Sequence, residues 1–278
     1  MADPVAVTRN GHRTFFKWHR ARRFGSDPVF TGRRILEGMA LGASVEVDLV
    51  VHAGDGFAVL HDHLDLSRET TGTGPAAALS AAEIRALQLR DNAGQPIADH
   101  VMLLGDLCAL LQQTPPHPDA LLQLDYKENQ GPLSLEAIAA FSRSVGPVAG
   151  NMILSSGEAD SVRLLTDATP GLHIGYDPCH GEWVERVRST RDFAGFVAAA
   201  LADSPKAELI YLHYLLVFFA DDHGFDLIAA FHAAGKRVDA YTINRSDPAG
   251  VAAATRLLGL RADQITTDDP EGLAAALG

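Results

Sequence analysis

The stretch VEVDLVVHAGDGFAVLHDH, residues 45–63, combines a strand, a turn and a second strand. In its first part, apolar residues alternate with Glu46 and Asp48, so both carboxylates project from one face of the strand, roughly 7 Å apart at Cα. The Asp55–Gly56 pair is typical of a tight turn, and FAVLH, residues 57–61, is a second strand-like run that ends in a histidine. The stretch therefore predicts a β-hairpin with two acidic side chains on one face of its first strand.

Similar apolar or β-branched runs recur along the whole chain and alternate with Ala- and Leu-rich segments. This alternation is typical of βα units and a parallel sheet, and eight such runs are the number that closes a (β/α)8, or TIM, barrel. The sequence therefore predicts an α/β fold, a TIM barrel forming a single domain over residues 1–278, with a small inserted subregion at about 62–115 after the second strand and its hairpin. The predicted barrel strands are 5–12, 44–51, 121–127, 151–156, 172–177, 208–213, 237–243 and 264–268. The predicted helices are 32–41, 80–89, 103–112, 134–145, 158–167, 193–202, 225–234, 248–258 and 271–277.

Composition excludes several classes of protein. Hydrophobic residues make up 47% and charged residues 21% of the 278, as in a globular protein with a sizeable core. The formal net charge of −12 argues against nucleic-acid binding. The two cysteines, Cys108 and Cys179, are too few and too far apart for a disulfide framework. No signal-like N-terminus and no apolar run of membrane-spanning length is present, so we expect a cytoplasmic protein.

The carboxylates of the opening stretch predict a metal site. Two acids that project into a barrel interior repel each other and lose hydration unless a cation compensates them. Asp125, at the end of the run LLQLDYK, is a third acid in a similar position. Three carboxylates favour one hard divalent cation, Mg²⁺ or Ca²⁺, over zinc. The alternative is a half-exposed strand on which Glu46 and Asp48 face water, with Asp125 paired to neighbouring Lys127.

Other polar residues at strand ends are candidates for catalysis and anion binding. His12 and His61 each end a strand-like run, and two imidazoles beside a cation suit general acid and base chemistry. Arg13 and Lys127 supply cations that suit a phosphate, and His213 ends the sixth barrel run and could face the same pocket. The alternatives are structural histidines and solvated surface bases.

Six motifs occur in a set order that resembles the glycerophosphodiester phosphodiesterases, a family of phosphodiesterase barrels like phosphatidylinositol phospholipase C. They are GHR (11–13), VEVDLVV (45–51), DGFAVLHDHLDLSRETTGTG (55–74), LDYK (124–127), YTIN (241–244) and ITTDDP (265–270). The resemblance spans nearly the whole chain and implies the same barrel with its insertion. It also implies that Glu46, Asp48 and Asp125 hold the metal, that His12 and His61 act as acid and base, and that Arg13 and Lys127 contact phosphate. Tyr241, where the family usually has tryptophan, would line the pocket.

The chain departs from the family pattern in three places. The usual His-Arg-Gly motif has Thr14 in place of glycine, and Asp125 stands where glutamate is usual. The expected Pro-Glu-Asn-Thr segment is replaced by residues 15–34, which carry six basic residues, one acid and several aromatics. We expect this segment to overhang the mouth of the barrel, where it attracts an anionic substrate or rests on a membrane surface. The alternative is a solvated loop with its aromatics packed on the barrel.

The predicted function is metal-dependent hydrolysis of a small-molecule glycerophosphodiester to glycerol 3-phosphate and an alcohol. In this hypothesis His12 is the base and His61 the acid. One alternative is a lyase or phosphoryl transferase that yields a cyclic phosphate or a sugar phosphodiester. Another is a non-catalytic phosphodiester-binding protein, because a fold does not fix a function. The sequence predicts no oligomeric state.

Overall fold

A closed barrel of eight parallel strands forms the centre of the protein, which is described here by a computed structural model for residues 3–278. Going around the barrel, the strand order is β2-β12-β11-β10-β9-β8-β7-β3, and pairing between β2 and β3 closes the ring. The strands are β1 Ala6–Arg9, β2 His12–Trp18, β3 Ser44–His52, β4 Gly56–Val59, β5 Gln88–Arg90, β6 Pro96–His100, β7 Leu121–Tyr126, β8 Met152–Ser155, β9 His173–Tyr176, β10 Leu209–His213, β11 Arg237–Ile243 and β12 Gln264–Thr267. The predicted TIM barrel is therefore confirmed.

Helices surround the barrel and cover its apolar outer face. They are α1 Gly32–Leu41, α2 Ala81–Ala86, α3 Leu104–Gln113, α4 Leu135–Val145, α5 Ala159–Asp167, α6 Trp183–Thr190, α7 Phe193–Asp203, α8 Tyr214–Asp222, α9 Leu227–Ala233, α10 Pro248–Gly259 and α11 Pro270–Leu277. Several begin at an acid or serine whose side chain accepts from a free backbone N–H, as Ser134 does from Ala137. The sequence reading missed α6 and α8. None of the helices described is long and apolar enough to cross a membrane.

The prediction for the first barrel strand was wrong. Residues Ala6–Arg9 form the outer strand of a hairpin, and its partner, His12–Trp18, is the strand that enters the barrel. The turn between them is Asn10–Gly11, with φ values of 50° and 74°, which is the left-handed conformation of a two-residue hairpin turn. His12 therefore begins a barrel strand instead of ending one, and the strand ends at Trp18, six residues later than predicted.

The insertion between β4 and β7 contains more strand than was predicted. Besides α2 and α3 it holds an antiparallel pair, β5 and β6, which forms a separate two-stranded sheet. The chain enters it through β4, which pairs antiparallel with the end of β3, from Leu49↔Val59 to His52↔Gly56, as the Asp55–Gly56 turn predicts. The insertion therefore starts beside the C-terminal ends of the barrel strands.

The basic aromatic segment 15–34 contains the end of β2, a connecting segment and the start of α1. Its first residues complete β2, where Phe16 and Trp18 are buried, and its last residues begin α1. Arg23 and Arg34 form ion pairs with carboxylates at 2.6 and 2.8 Å. Most of the segment is thus folded into the protein, in line with the alternative of aromatics packed on the barrel, and a membrane contact stays a prediction.

Candidate active site

The C-terminal ends of the barrel strands surround a pocket of about 180 Å³. Five residues that were predicted from the sequence meet there: Glu46, His61, Asp125, Lys127 and Tyr241 line the wall. Asp48 lies beneath them and is fully buried. In TIM barrels this end carries the active site, because side chains from several strand ends converge on it.

The three predicted metal ligands converge because of strand register. Asp48 and Asp125 are paired positions on the neighbouring parallel strands β3 and β7, and Glu46 lies two residues before Asp48 on the same face. One carboxylate oxygen from each residue lies within 4.8 Å of the other two. This is the set of hard oxygen ligands that Mg²⁺ and Ca²⁺ prefer.

The surroundings of the Asp48 carboxylate indicate whether the three carboxylates suit a bound cation. Both of its carboxylate oxygens are buried without a hydrogen bond, although Lys127 Nζ lies 2.9 Å from one and Arg20 Nε 3.2 Å from the other. These are charge contacts without hydrogen-bond alignment. Burial raises the pKa of Asp48 despite both cations. A buried carboxylate with unused lone pairs, next to two others, fits a divalent cation.

Lys17 places a further positive charge beneath this cluster, which the sequence reading missed. Its ammonium lies 3.3 Å from Glu46 and 3.3 Å from Asp239, donates to Gln123, and sits 4.3 Å from the ring centre of Tyr211. The side chain is only 1% exposed. Burial alone would raise the pKa of Glu46, but the charges of Lys17 and other cations nearby hold it at about 2. Glu46 is therefore an anion in the folded protein.

His19 and Arg20 occupy the positions at the mouth where His12 and Arg13 were expected. His19 Nδ1 lies 2.6 Å from Asp268, and its Nε2 lies 4.0 Å from Glu46. Two residues after His19, Ala21 has a φ of 60°, a conformation that glycine adopts readily. The family motif His-Arg-Gly thus matches the chain at residues 19–21, with alanine for glycine. A strand-end histidine followed by arginine was visible in the sequence, but the misplaced first strand concealed it.

His12 and Arg13 lie at the opposite end of the barrel. The ring nitrogen Nε2 of His12 is 3.1 Å from the carbonyl oxygen of Ala262 and 3.7 Å from Asp263. Both partners precede strand β12, which runs parallel to β2, so they mark its N-terminal end. Arg13 packs over the ring of Phe15, 4.6 Å from its centre. The predicted placement of this pair in the pocket was therefore wrong.

His61 reaches the pocket from the chain that follows β4, as predicted. Its backbone N–H donates to Glu69 at 2.9 Å, and the other oxygen of Glu69 lies 3.5 Å from Arg20. Burial lowers the pKa of His61 to about 4, with the positive charges of Arg20 and Lys127 acting in the same direction. In the protein without an anion bound, this imidazole is neutral at pH 7.

The far wall of the pocket is formed by Tyr241 and Asp177. The hydroxyl of Tyr241 donates to Asp177 at 2.8 Å, and burial raises the pKa of Asp177 to about 7. His213 packs its ring against Tyr241, 5.8 Å between centres, behind the residues that line the pocket. The sequence reading missed Asp177, although it ends the predicted run 172–177 in the same way that His213 ends its own.

The fold and the site together define a TIM barrel with a polar, cation-rich pocket around three clustered carboxylates, as expected for an enzyme that acts on an anionic substrate. The chain belongs to the glycerophosphoryl diester phosphodiesterase family, whose model matches residues 35–272. The predictions of this family, of the barrel and of a phosphodiesterase are thus confirmed. No curated protein matches the chain in a sequence comparison. The individual roles predicted for site residues, the single domain and the cytoplasmic location stay predictions.

Solved structures show the same fold at low sequence identity. A Silicibacter pomeroyi protein, provisionally assigned as a glycerophosphoryl diester phosphodiesterase, is 23% identical, with a TM-score of 0.72 over 95% of this chain and 94% of its own. An Agrobacterium tumefaciens glycerophosphodiester phosphodiesterase is 19% identical, with a TM-score of 0.66 over 94% and 99%. A phosphodiesterase from Oleispira antarctica, solved with the product sn-glycerol-3-phosphate, is 21% identical, with a TM-score of 0.65 over 94% and 96%. These likenesses extend along nearly the full length of both chains.

Proposed function

We propose that the protein hydrolyses glycerophosphodiesters to glycerol 3-phosphate and an alcohol, with one divalent cation and two histidines. The observation that carries the proposal is the grouping of Glu46, Asp48 and Asp125 within 4.8 Å of one another at the mouth of a barrel of this family. The Oleispira antarctica relative, which holds sn-glycerol-3-phosphate as product, supports the choice of substrate.

The metal ligands in this proposal are the three carboxylates named from the sequence. Glu46, Asp48 and Asp125 offer only oxygen donors, which favours Mg²⁺ or Ca²⁺. When bound, such a cation would neutralise phosphoryl charge and lower the pKa of a coordinated hydroxyl group. Asp125 is shorter than the glutamate usual in the family, but its register with Asp48 places its carboxylate beside the others.

Two fixed cations would hold the phosphate group. Arg20, in place of Arg13, and Lys127 both line the pocket and both contact Asp48. Burial opposes the charge of Lys127, yet the carboxylates of Asp125 and Asp48 raise its pKa, so its ammonium stays protonated. Cations fixed in a partly buried pocket stabilise charge that develops on phosphoryl oxygens without having to reorganise.

His19 is the base in this proposal, in place of His12. Asp268 accepts from Nδ1, as in catalytic triads, and this fixes the tautomer that leaves Nε2 free to accept a proton. Burial alone would raise the pKa of Asp268, but its hydrogen bond with His19 and nearby positive charges hold it at about 2. His19 Nε2 then takes the proton of the glycerol 2-hydroxyl as this oxygen attacks phosphorus.

His61 is the acid that acts on the leaving alcohol. As the bond from phosphorus to the alcohol oxygen breaks, His61 gives that oxygen a proton and a cyclic phosphate remains. Water then opens the ring, and the histidines exchange roles: His61 takes the proton of water and His19 returns one to the 2-oxygen. An anionic phosphate between Arg20 and Lys127 offsets the charges that lower the pKa of His61, so substrate binding favours its protonation.

The test is turnover by protein stripped of metal with a chelator. We expect no reaction of glycerophosphocholine or glycerophosphoethanolamine until Mg²⁺, Ca²⁺ or Mn²⁺ is added, and glycerol 3-phosphate as the final product in phosphorus NMR. Asp48→Asn should abolish calorimetric metal binding, whereas Asp119→Asn, at the other end of the barrel, should not. A cyclic ester as final product would replace the hydrolase by the lyase. Metal binding without turnover of any diester would favour the non-catalytic alternative.

A further inference from the structure

A second pocket, of about 350 Å³, opens beside the catalytic one. It lies between the segment after β2 and the insertion, and we call it the insertion pocket. Arg20 and His61 line both pockets and so form the boundary between them. Asn92 of the insertion donates to the carbonyl oxygen of Gly25 at 3.1 Å and accepts from Arg22 at 3.4 Å, so the two walls are tied together.

The position of the insertion pocket assigns it to the alcohol half of the substrate. This step rests on the proposed function, in which the glycerol half lies among the metal carboxylates beside His19. The other substituent on phosphorus must then leave the catalytic pocket. Because His61 protonates the alcohol oxygen and also borders the insertion pocket, the alcohol would extend past His61 into it.

The insertion pocket is lined by charges of both signs, and two of its arginines are already paired with acids: Arg20 with Asp48 and Glu69, and Arg22 with Asp268 at 2.9 Å. Its lining has four arginines against three carboxylates: Arg20, Arg22, Arg68 and Arg90 against Asp62, Glu69 and Asp91. Two of the carboxylates are occupied by backbone amides. Glu69 accepts from His61 and Asp62, and Asp91 accepts from Ala93 and Gln95 in a turn. These hydrogen bonds fix the two carboxylates in position but do not remove their negative charge, so an anion requires an arginine that no acid pairs with.

Arg90 is the residue that makes this pocket suited to an anion. Its Nε donates to the carbonyl oxygen of Thr70 and its Nη1 to that of Gly94, both at 2.7 Å. Within residues 3–278, no carboxylate lies within 4.0 Å of its guanidinium nitrogens. Two neutral carbonyls therefore hold a guanidinium group that has no ion-pair partner among the described residues. Arg68, which is 79% exposed and lies 3.6 Å from Asp62, adds a solvent-exposed positive charge at the rim.

We propose that the insertion pocket binds an alcohol that carries a second phosphate, and that Arg90 contacts this phosphate with Arg68 at the rim. The second phosphate has two chemical sources: a phosphomonoester on the alcohol, or a further phosphodiester in a glycerophosphate chain. Guanidinium groups suit both, since they bind phosphate oxygens through charge-assisted hydrogen bonds. An alcohol without a second anionic group, such as choline, makes no such contact with Arg90.

Matched substrate pairs test this proposal and separate the two sources. Glycerophosphoinositol 4-phosphate is compared with glycerophosphoinositol, and bis(glycerophospho)glycerol with glycerophosphoglycerol. We expect a kcat/KM about tenfold higher for the doubly phosphorylated member of at least one pair, the factor typical of one hydrogen bond to a charged group. The pair that shows it identifies the source. The preference should fall with added salt. Equal values within both pairs would overturn the proposal.

Variants locate the preference at the insertion pocket. Arg90→Gln should bring the ratio of kcat/KM values within the responding pair close to one, and Arg90→Lys should retain part of it. Because Arg90 also holds two carbonyl groups, exposed Arg68 provides a second variant: Arg68→Gln should lower the ratio two- to threefold without a change in the thermal melting temperature. The control, Arg163→Gln, removes an exposed arginine on α5 and should leave the ratio unchanged.

Failure of this proposal can be told from failure of the proposed function. Turnover of all four substrates with equal kcat/KM within each pair would contradict the phosphate site and leave the hydrolase in place. A preference that survives both Arg90→Gln and Arg68→Gln would also overturn the assignment to the insertion pocket. No turnover of any of the four with any cation would contradict the proposed function itself.

Discussion

The two ends of strand β2 carry the same dipeptide: His12–Arg13 at the start and His19–Arg20 immediately after the end. Both ends of the barrel also have a pocket, about 180 Å³ at the mouth and about 200 Å³ at the base. At the mouth, the imidazole of His19 faces Asp268 and Glu46. At the base, His12 faces a backbone carbonyl group. Neither the His-Arg dipeptide nor the cavity volume therefore identifies the candidate site; the direction of the strand does.

Replacement of the two histidines gives the largest expected contrast. His19→Ala should lower kcat by at least about 10²-fold, because it removes the base and its alignment by Asp268. His12→Ala should change kcat less than about threefold, because no group of the catalytic pocket contacts it. The measurement is the rate of glycerol 3-phosphate release at saturating substrate and metal. Equal losses in the two variants would contradict the placement of the active site at the mouth.

Lys17 lies inside the barrel, between its two ends, and compensates the buried carboxylates of Glu46 and Asp239. Lys17→Met should lower the free energy of unfolding by about 3 kcal/mol, since Glu46 and Asp239 then lose a buried partner. Arg163→Met, which breaks the exposed pair with Asp160, should cost less than about 0.5 kcal/mol. Denaturant unfolding of both variants measures this. A divalent cation should stabilise Lys17→Met more than the wild type; equal stabilisation would show that Lys17 and the metal site are not coupled.

The sequence predicted the parts of the fold that depend on local pattern. The strand 44–51 and most barrel strands appear with shifts of at most one residue at either end, and the return strand after the Asp55–Gly56 turn appears with shifts of one and two residues. Glu46 and Asp48 meet Asp125 because alternation within a strand and register between strands are regular. The site was partly missed because one turn was overlooked: Asn10–Gly11 is a hairpin signal, and without it the first strand was predicted to end six residues too early.

Other features of the site could not be read from the sequence. Lys17 stands between Phe16 and Trp18 in a basic stretch, and nothing local shows that its ammonium is buried beside Asp239, more than two hundred residues away. Asp268 is also more than two hundred residues from His19 along the chain, and the two meet only because β2 and β12 are neighbours in the closed barrel. Arg90 depends on the fold of the insertion, whose small sheet gave no clear periodic pattern. Hydrophobic periodicity reports local structure and does not show which distant elements of the chain pair.

The smallest expected effect concerns His61, whose pKa of about 4 reflects burial and the cations of the mouth. Because this pKa lies below the ordinary value of about 6.5, the unfolded chain binds more protons between these values. This contribution to stability is therefore present above pH 6.5 and is lost as the pH falls toward 4. His61→Gln should flatten the fall in unfolding free energy over that window relative to wild type.

In the wild type, NMR titration should show the pKa of the His61 imidazole rising when glycerol 3-phosphate binds, since the anion offsets the charges of Arg20 and Lys127. A pKa that stays near 4 with the anion bound would leave His61 neutral at pH 7, and the acid role would then pass to another group in the pocket, with Asp177 the first candidate because its pKa is about 7.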